Sequence, residues 1–486
     1  PAPGGGTSSG MAFTVSAASQ GQTIGVIGVA STDDSGRVGH GGSSYQPALS
    51  ADGRYVAFSS LATDLVAADV NAAPDVFWHD TCRGAPPGCA ISTRLVSVDL
   101  SGHQLMNGAR VNATLAPGNT ITGDGRFVLF LAEVGDVLAS HPGVPDFNIE
   151  VFVRDTCTGQ PATCVPSTAL VSQDALGNPA NAETDSATIS PDGRVVTFIS
   201  SATNLVSEAV THTQLYARET CLGATSGCAP ANHLVSVSST GDQANAGVRS
   251  AAVSAGGRYL VFESDSSNLA AGDHPVGDDV FERDTCLGAP PGCTPSTVLV
   301  SLPRTGVTAQ SNVYAAYPSV SADGRFVVFE SNASDLIAAD IHGIPQVFLR
   351  DTCLGASGPC TPTTSLLSAA LDGTPADSDS FLNGVAALSG DGRYAAFSSG
   401  GDNLLPGVTA PACYVRDTCA GTPAGCTPRL HVVSVDAQGN LLAGCEGNSL
   451  GGAGVPVLSS DGHVGVLERF DQASNGLQAY VVLTGF

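Results

Sequence analysis

The chain has 486 residues, a net charge of −25 and 14 cysteines. Its basic residues are all arginine and form no basic stripe that could neutralise phosphates, which excludes nucleic acid as a partner. No run of 18 apolar residues occurs, so a membrane-spanning helix is not expected.

Seven copies of one motif organise the sequence. Ser190-Pro191-Asp192-Gly193-Arg194 begins one copy. The corresponding positions in the other six are Asp52, Asp124, Gly256, Asp323, Asp391 and Asp461. These positions are evenly spaced along the chain, and so steady a period indicates one supersecondary unit repeated in an array.

Each copy reads as four short strands. After the Asp-Gly turn come the second strand of the copy, an apolar run such as Tyr55–Phe58, the third strand, such as Asp75–Asp80, and the outer strand, such as Leu95–Val98. A further short strand, such as Pro47–Ser50, precedes each turn and is counted as the first, inner strand. Four strands without a helical pattern predict a propeller blade. Residues 23–486 are therefore predicted to form one all-β, seven-bladed β-propeller with four-stranded blades.

The ends of the chain are predicted to share a blade. The last copy stops after its third strand, Gln478–Leu483, and Val29–Gly36 matches the outer-strand segment Leu95–Gly102 of the first copy. An N-terminal strand should therefore complete the last blade and close the ring. Thr14–Gly21 matches the same segment and is surplus. Residues 1–22 are predicted to be a flexible leader whose surplus strand packs on its own blade or adds to a neighbouring molecule.

The Ser-Pro-Asp-Gly-Arg motif followed by an apolar run resembles the TolB-type (PD40-like repeat) β-propeller family of bacterial exported proteins. Asp69-Val70-Asn71 with Asp75-Val76-Phe77 resembles the loop and third strand of the same family. The resemblance covers all seven copies. It implies binding or scaffolding outside the cytoplasm and carries over no fixed catalytic site.

The cysteines predict a disulfide framework. Six pairs share the spacing Cys-x6-Cys inside hairpin loops, whereas zinc sites prefer shorter spacings. The pairs are Cys82–Cys89, Cys157–Cys164, Cys221–Cys228, Cys286–Cys293, Cys353–Cys360 and Cys419–Cys426. Cys413 and Cys445 remain and are predicted to pair. Disulfides predict an oxidising compartment, so we expect a secreted, extracellular or periplasmic protein. Because the sequence begins at Pro1 and its first methionine is Met11, we expect its targeting segment to have been removed.

Other repeated polar residues are predicted to be structural. Arginine recurs after Asp-Gly and before Asp-Thr-Cys, as at Arg154 beside Asp155, and these residues are expected to form ion pairs of the scaffold. The histidines are scattered singly. Five of them fall in predicted loops and are expected to be solvated: His40, His141, His212, His274 and His342.

One carboxylate-rich pattern predicts a metal site. Asp69, Asn71 and Asp75 supply the alternating oxygen ligands that calcium prefers. Asp273 and Asp279 in the fourth copy form a weaker version of the pattern. The full calcium-loop pattern is absent, and solvated acidic turns are the alternative. No cofactor is required by the sequence, and calcium is the one that it suggests.

Function is predicted from the faces of the propeller. The Asp-Gly turns and the Cys-x6-Cys loops should share one face, here named the Cys face. The acidic loops between the second and third strands should share the opposite, acidic face, which varies between copies and suits binding. No catalytic motif is found, so we expect a non-enzymatic extracellular scaffold that binds protein partners or self-associates head-to-tail. The alternative is a calcium-assisted glycan-binding or glycan-cleaving propeller.

Overall fold

The computed structural model describes most of the chain. The described residues are 25–110, 119–141, 143–223, 228–272, 274, 277–304, 313–356, 358–382, 387–409, 411–422, 425–436, 438–442, 445, 456–471 and 476–486. The predicted leader, residues 1–22, lies outside them. Within the described ranges, no helix is both long enough and apolar enough to cross a bilayer.

Seven antiparallel sheets follow one another along the chain, as predicted. The first strand is β1 (Gly25–Val29). Blade 1 holds β2 (Ser44–Leu49), β3 (Tyr55–Ser60), β4 (Asp75–Asp80) and β5 (Ser92–Leu95). Blade 2 holds β6 (Phe127–Glu133), β7 (Ile149–Asp155) and β8 (Ser167–Leu170), with a one-turn helix, α1 (Val134–Val137), after β6. Blade 3 holds β9 (Thr184–Ile189), β10 (Val195–Ser200), β11 (Gln214–Glu219) and β12 (Ala231–Leu234).

The remaining four blades repeat this order. Blade 4 holds β13 (Val248–Val253), β14 (Tyr259–Ser264), β15 (Asp279–Asp284) and β16 (Ser296–Leu299), with a 3-10 turn at Ala255–Gly257. Blade 5 holds β17 (Ala315–Val320), β18 (Phe326–Ser331), β19 (Gln346–Asp351) and β20 (Thr363–Leu366). Blade 6 holds β21 (Ser380–Phe381), β22 (Tyr394–Ser399), β23 (Ala412–Asp417) and β24 (Arg429–Val432). Blade 7 holds β25 (Val457–Leu458), β26 (Val464–Asp471), β27 (Gly476–Leu483) and β1.

The predicted ring closure is confirmed. β1 pairs antiparallel with β27, and Val29 faces Tyr480 as Leu95 of blade 1 faces Phe77. The alignment made from sequence therefore holds in register, and the two ends of the chain share blade 7.

Blade 2 differs from the predicted four strands. Its described part has three strands, and the inner-strand position is marked by an isolated bridge between Ile121 and Val128. Residues 111–118, which lead into this position, are outside the described residues.

Each of blades 1 to 6 is built around a stacked aromatic pair from its second and third strands. The ring centroids lie 5.8 Å apart for Phe58 and Phe77 and 5.4 Å apart for Phe397 and Tyr414. Neighbouring blades then pack through the Asp-Gly turns. A Cβ atom on Gly125 would lie 2.2 Å from the ring of Tyr55, so this turn needs glycine for space as well as for its φ of +73°.

The predicted disulfides are all present, and every one of the cysteines is paired. The Cys-x6-Cys loops and the Asp-Gly turns do share a face, since Arg54 of a turn pairs with Asp80 beside a loop at 2.7 Å. Four further blades repeat this ion pair. The second set of arginines makes different contacts from those expected. Arg154, for example, donates to the hydroxyl of Thr168 at 3.1 Å.

Candidate functional site

One polar position is repeated at the start of the third strand and is here called the bridging position. Its residues are Asp75, Glu150, Gln214, Asp279, Gln346, Ala412 and Gln478 in blades 1 to 7. A buried serine from the outer segment, the bridging serine, accepts the backbone N–H of the next residue in every blade. In every blade except blade 6 it also donates to the bridging side chain. A position repeated in this way is scaffold.

At the bridging position, one hydrogen-bond acceptor is needed for the bridging serine and one donor for a backbone carbonyl. Gln346 supplies both, because its oxygen accepts from Ser368 at 2.5 Å and its amide donates to the carbonyl of Ala376 at 2.9 Å. An acid supplies the acceptor alone. Blade 1 therefore combines Asp75 with Asn71, whose amide donates to the carbonyl of Leu105 at 2.7 Å.

The predicted calcium ligands of blade 1 lie together with an amide between them. The side-chain nitrogen of Gln104 donates to Asp69 and to Asp75, at 2.8 Å each. Burial raises the pKa of both carboxyls, against the hydrogen bonds from Gln104 that lower it. These contacts give all three residues a role in the fold. Calcium binding here stays a prediction.

We expect calcium to raise the midpoint of thermal unfolding modestly, because a ligand bound only by the folded state stabilises it. The measurement compares melting in calcium with melting in chelator, for the wild type and for Asp69→Asn. The wild type should respond and the variant should not. If the wild type unfolds at the same midpoint in both buffers, the calcium prediction is wrong and these acids have only their structural contacts.

In blade 4, Asp279 of the weaker metal pattern contacts a buried histidine, His274. The Nδ1 atom of His274 lies 2.6 Å from Asp279, and its Nε2 atom lies 3.4 Å from Asp335 of blade 5. The expectation that His274 is solvated is wrong, since its side chain is 1% exposed. Asp273 lies outside the described residues.

The charge of His274 fits this position between two acids. Burial alone would lower its pKa, but the hydrogen bond with Asp279 and the charges of both aspartates raise it overall. The raised pKa favours the protonated imidazole, which joins blades 4 and 5 through Asp279 and Asp335.

Glu150 is a bridging residue whose ionisation is opposed by burial. Burial raises its pKa to about 8, although Ser172 and Asn148 donate to the carboxyl. Because the same carboxyl titrates near 4.5 when unperturbed, the folded state holds a proton that the unfolded state loses. Stability should therefore fall as pH rises from about 4.5 to about 8.

We expect Glu150→Gln to stabilise the protein by up to about 5 kcal/mol above pH 8, which is the rise of the pKa from 4.5 to about 8 converted to free energy, and to change stability little near pH 4.5. Glutamine already fills this position in three other blades. Denaturant unfolding across this pH range makes the measurement, and Gln214→Glu in blade 3 is the matched control with the opposite sign. A gain that does not depend on pH would contradict the assignment.

One variable position of the repeat lies near the start of the inner strands, and the blades of a propeller surround a central channel. In blades 1, 3, 4, 5 and 6 it follows the first paired residue of the inner strand, where that strand leaves the acidic face. In blade 2 it is Arg110, which forms an isolated bridge with Leu131. Its described residues are Tyr45, Arg110, Asp185, Arg249, Ala316 and Phe381 in blades 1 to 6. Aromatic, cationic, anionic and small side chains thus occupy equivalent places. We call this set the channel mouth.

The charges of the channel mouth act on one another. Burial raises the pKa of Tyr45 and of Asp185, and the positive charge of Arg110 opposes this rise. Arg249 pairs with Asp265 at 3.3 Å and with Asp278. The mouth therefore presents both signs of charge beside half-buried aromatic rings.

Buried glutamates support the mouth from the second strands. Glu263 accepts the N–H of Tyr317 at 3.4 Å, and Glu330 accepts the N–H of Leu382 at 3.1 Å, each in the next blade. Burial raises the pKa of Glu330 to about 7. Through these hydrogen bonds, Glu263 and Glu330 join neighbouring blades.

The Cys-face end of the channel is narrowed by hydrogen bonds between successive turns. Gly123 donates to the carbonyl of Pro191 at 2.8 Å, and Gly390 donates to that of Ser460 at 2.8 Å. Residues from all seven blades line an apolar cavity of about 100 Å³ above these turns. The channel mouth is therefore the end that offers chemically distinct groups.

The sequence prediction chose the acidic loops and missed the channel mouth. The signal for the mouth was present in the repeat, as the one inner-strand position where equivalent residues differ in charge and size.

No protein-family model and no curated protein matches this chain. Among solved structures, it is similar to TolB from Acinetobacter baumannii, with 12% identity over 84% of this chain and 76% of that one and a TM-score of 0.32. It is also similar to hydrazine synthase from Kuenenia stuttgartiensis, with 14% identity over 89% of this chain and 94% of that one and a TM-score of 0.37. A third similar structure is oligogalacturonate lyase from Vibrio parahaemolyticus, with 8% identity over 95% of this chain and 91% of that one and a TM-score of 0.45. At these identities and TM-scores, the likenesses carry no inference about what this chain does.

Proposed function

We propose that the protein is an extracytoplasmic, non-enzymatic interaction scaffold that binds a protein partner at the channel mouth. The observation that carries this proposal is the contrast between positions. The bridging serine is the same in all seven blades, whereas the six described positions of the channel mouth hold five different residue types. Residues that hold the strands of a blade together are the same from blade to blade, whereas residues that recognise a partner are free to differ.

The chemistry of the mouth favours a partner segment with mixed groups. Arg110 and Asp185 offer opposite charges, and Tyr45 and Phe381 offer apolar rings. The net charge of −25 steers basic partners toward the protein at low ionic strength. Seven disulfides support residence in an oxidising compartment.

Photo-crosslinking tests the proposed binding site. A photoreactive residue at Phe381 places the crosslinker in the channel mouth, and the same residue at Pro87 places it in a Cys-face loop as a control. In the source organism, we expect one discrete protein adduct from position 381 and none from position 87. Equal adducts from both positions, or none from the mouth, would remove the mouth from the proposal.

We propose in addition that the chains self-associate head-to-tail through residues 1–22. The outer position of blade 7 is already filled by β1, so a second segment of the same type is not needed to complete the ring. Strand addition to a neighbour gives such a segment backbone partners. Donor and acceptor surfaces would differ, which produces a ring or an open filament.

Light scattering of the full-length protein and of residues 23–486 tests self-association. We expect the full-length protein to form oligomers and the shortened protein to be a monomer with an unchanged unfolding midpoint. If the full-length and the shortened protein are both monomeric, the proposal is contradicted.

The alternative function is calcium-assisted binding of a glycan. Tyr45 and Tyr317 on the inner strands and Tyr314 just before one favour it, because aromatic rings form platforms for sugars. Cleavage would need two facing carboxylates. Glu263 and Glu330 are buried and hydrogen-bonded between blades, which favours binding over cleavage.

A further inference from the structure

The third strands of blades 2 to 6 share an arginine two residues after their aromatic residue. This arginine position holds Arg154, Arg218, Arg283, Arg350 and Arg416. Arg283 donates to the hydroxyl of Thr297 in its own blade and to the carbonyl of Ser238 in blade 3, at 3.0 Å each. Arg218 likewise reaches the carbonyl of Gln173 in blade 2, at 3.3 Å. The cleft between two neighbouring blades is therefore a place that accepts a guanidinium.

The cleft between blades 7 and 1 differs, because blade 1 has His79 at the arginine position. Histidine is shorter than arginine, and a cavity of about 300 Å³ lies here, lined by His79 and Thr32 among others. Gly28 adds to this space. The other six blades hold a residue with a side chain at its position, and a Cβ atom on Gly28 would meet no atom within 4 Å. Two departures from the repeat thus open one cleft.

Hydrogen bonds determine the tautomer of His79. The hydroxyl of Thr93 donates its one proton to the carbonyl of Thr32. The Nδ1 atom of His79 lies 2.9 Å from that hydroxyl and must therefore donate to it. Burial lowers the pKa of His79 to about 4, so the ring is neutral at pH 7. Its Nε2 atom then carries a lone pair, to which no residue in the described part of the chain donates.

The surroundings of the cavity favour a cation with an apolar stem. The carboxylates of Asp80 and Asp34 both act to raise the pKa of His79, against the larger effect of burial, so the potential at the ring is negative. Val38 and Ile91 in the cavity wall offer apolar surface to methylene groups. The net charge of −25 attracts cations to the protein as a whole.

We propose that the cleft between blades 7 and 1 binds a guanidinium group, which donates to Nε2 of His79 and to the carbonyl of Thr32. In the neighbouring clefts the carbonyls of Gln173 and Ala369, which correspond to Thr32, accept from arginines of the chain itself. Two sources carry this group, the arginine side chain of a partner protein and a free guanidino compound. The site is separate from the channel mouth and does not rest on the function proposed there.

Nitrogen NMR of the full-length protein, labelled in histidine, follows Nε2 of His79 while a probe is added. The probes are N-acetylarginine amide and methylguanidinium, and N-acetyllysine amide is the control. We expect a saturable shift with both guanidinium probes and none with the lysine probe. Tighter binding of the arginine probe assigns the site to a partner side chain, and tighter binding of methylguanidinium assigns it to a free compound. No saturable shift with either guanidinium probe, or an equal shift with lysine, would overturn the proposal.

Three variants test the cleft itself. Gly28→Val, which places in blade 7 the residue that blade 4 has as Val298, should fill the open space and abolish the shift of His79. His79→Arg should supply the guanidinium from within the chain and raise the midpoint of thermal unfolding. Arg83 also lines the cavity, and its charge opposes a bound cation, so Arg83→Gln should tighten binding of methylguanidinium. A wild-type shift in Gly28→Val, or a lowered midpoint for His79→Arg, would show that the cleft does not accept a guanidinium.

Discussion

Replacing His274 by leucine should destabilise the protein by about 3 kcal/mol, because removing one member of a buried ionic group leaves its partners uncompensated. Asp279 and Asp335 are both buried, and the imidazole between them joins blades 4 and 5. Leucine fills the space and leaves two carboxylates without their cation. Urea unfolding at pH 7 measures the change.

Two further variants separate charge from packing at this position. His103→Leu removes an exposed histidine and should cost under about 0.5 kcal/mol. Asp335→Asn in the His274→Leu background removes one of the two stranded charges and should recover part of the loss. If the double variant is less stable than His274→Leu, the loss does not come from uncompensated charge.

Removing the disulfide between Cys413 and Cys445 should cost about 3.7 kcal/mol, whereas removing a Cys-x6-Cys disulfide should cost at most about 2.5 kcal/mol. The first bond closes a separation of 32 residues and the second a separation of 7. Cys413→Val with Cys445→Ala is the suitable variant, because valine occupies the equivalent position in blade 1 as Val76. Cys157→Ala with Cys164→Ala is the control.

Blade 6 explains why this disulfide matters. Its bridging position holds Ala412, so no side chain there accepts from Ser434 as the other bridging residues accept from their serines. The disulfide ties β23 to the segment after the outer strand instead. Adding Ala412→Gln to the disulfide-free variant should therefore recover part of the stability in thermal unfolding. No recovery would show that the bond does not replace the missing bridge.

The fold was predictable because its determinants repeat. The Asp-Gly turns, the Cys-x6-Cys loops and the outer segment recur in register, so each copy confirms the others, and the match of Val29 to Leu95 located the closing strand. Ring closure needed no knowledge of long-range contacts, because it follows from one blade lacking a strand.

The candidate site was less predictable because its contacts cross between segments. Asn71 looks like a metal ligand until Leu105, far along the chain, is seen to accept its amide. His274 looks solvated until Asp335 of the next blade is placed beside it. The channel mouth is recognisable only when equivalent inner-strand positions are compared around the ring, since its residues share no pattern.

Amide hydrogen exchange in β27 tests the closed ring most directly. The measurement compares residues 25–486, which keep β1, with residues 38–486, which do not. We predict that the amides of β27 (Gly476–Leu483) stay protected in the first protein and exchange rapidly in the second, while β11 (Gln214–Glu219) is protected in both. Equal protection of β27 in the two proteins would contradict closure by the N-terminal strand.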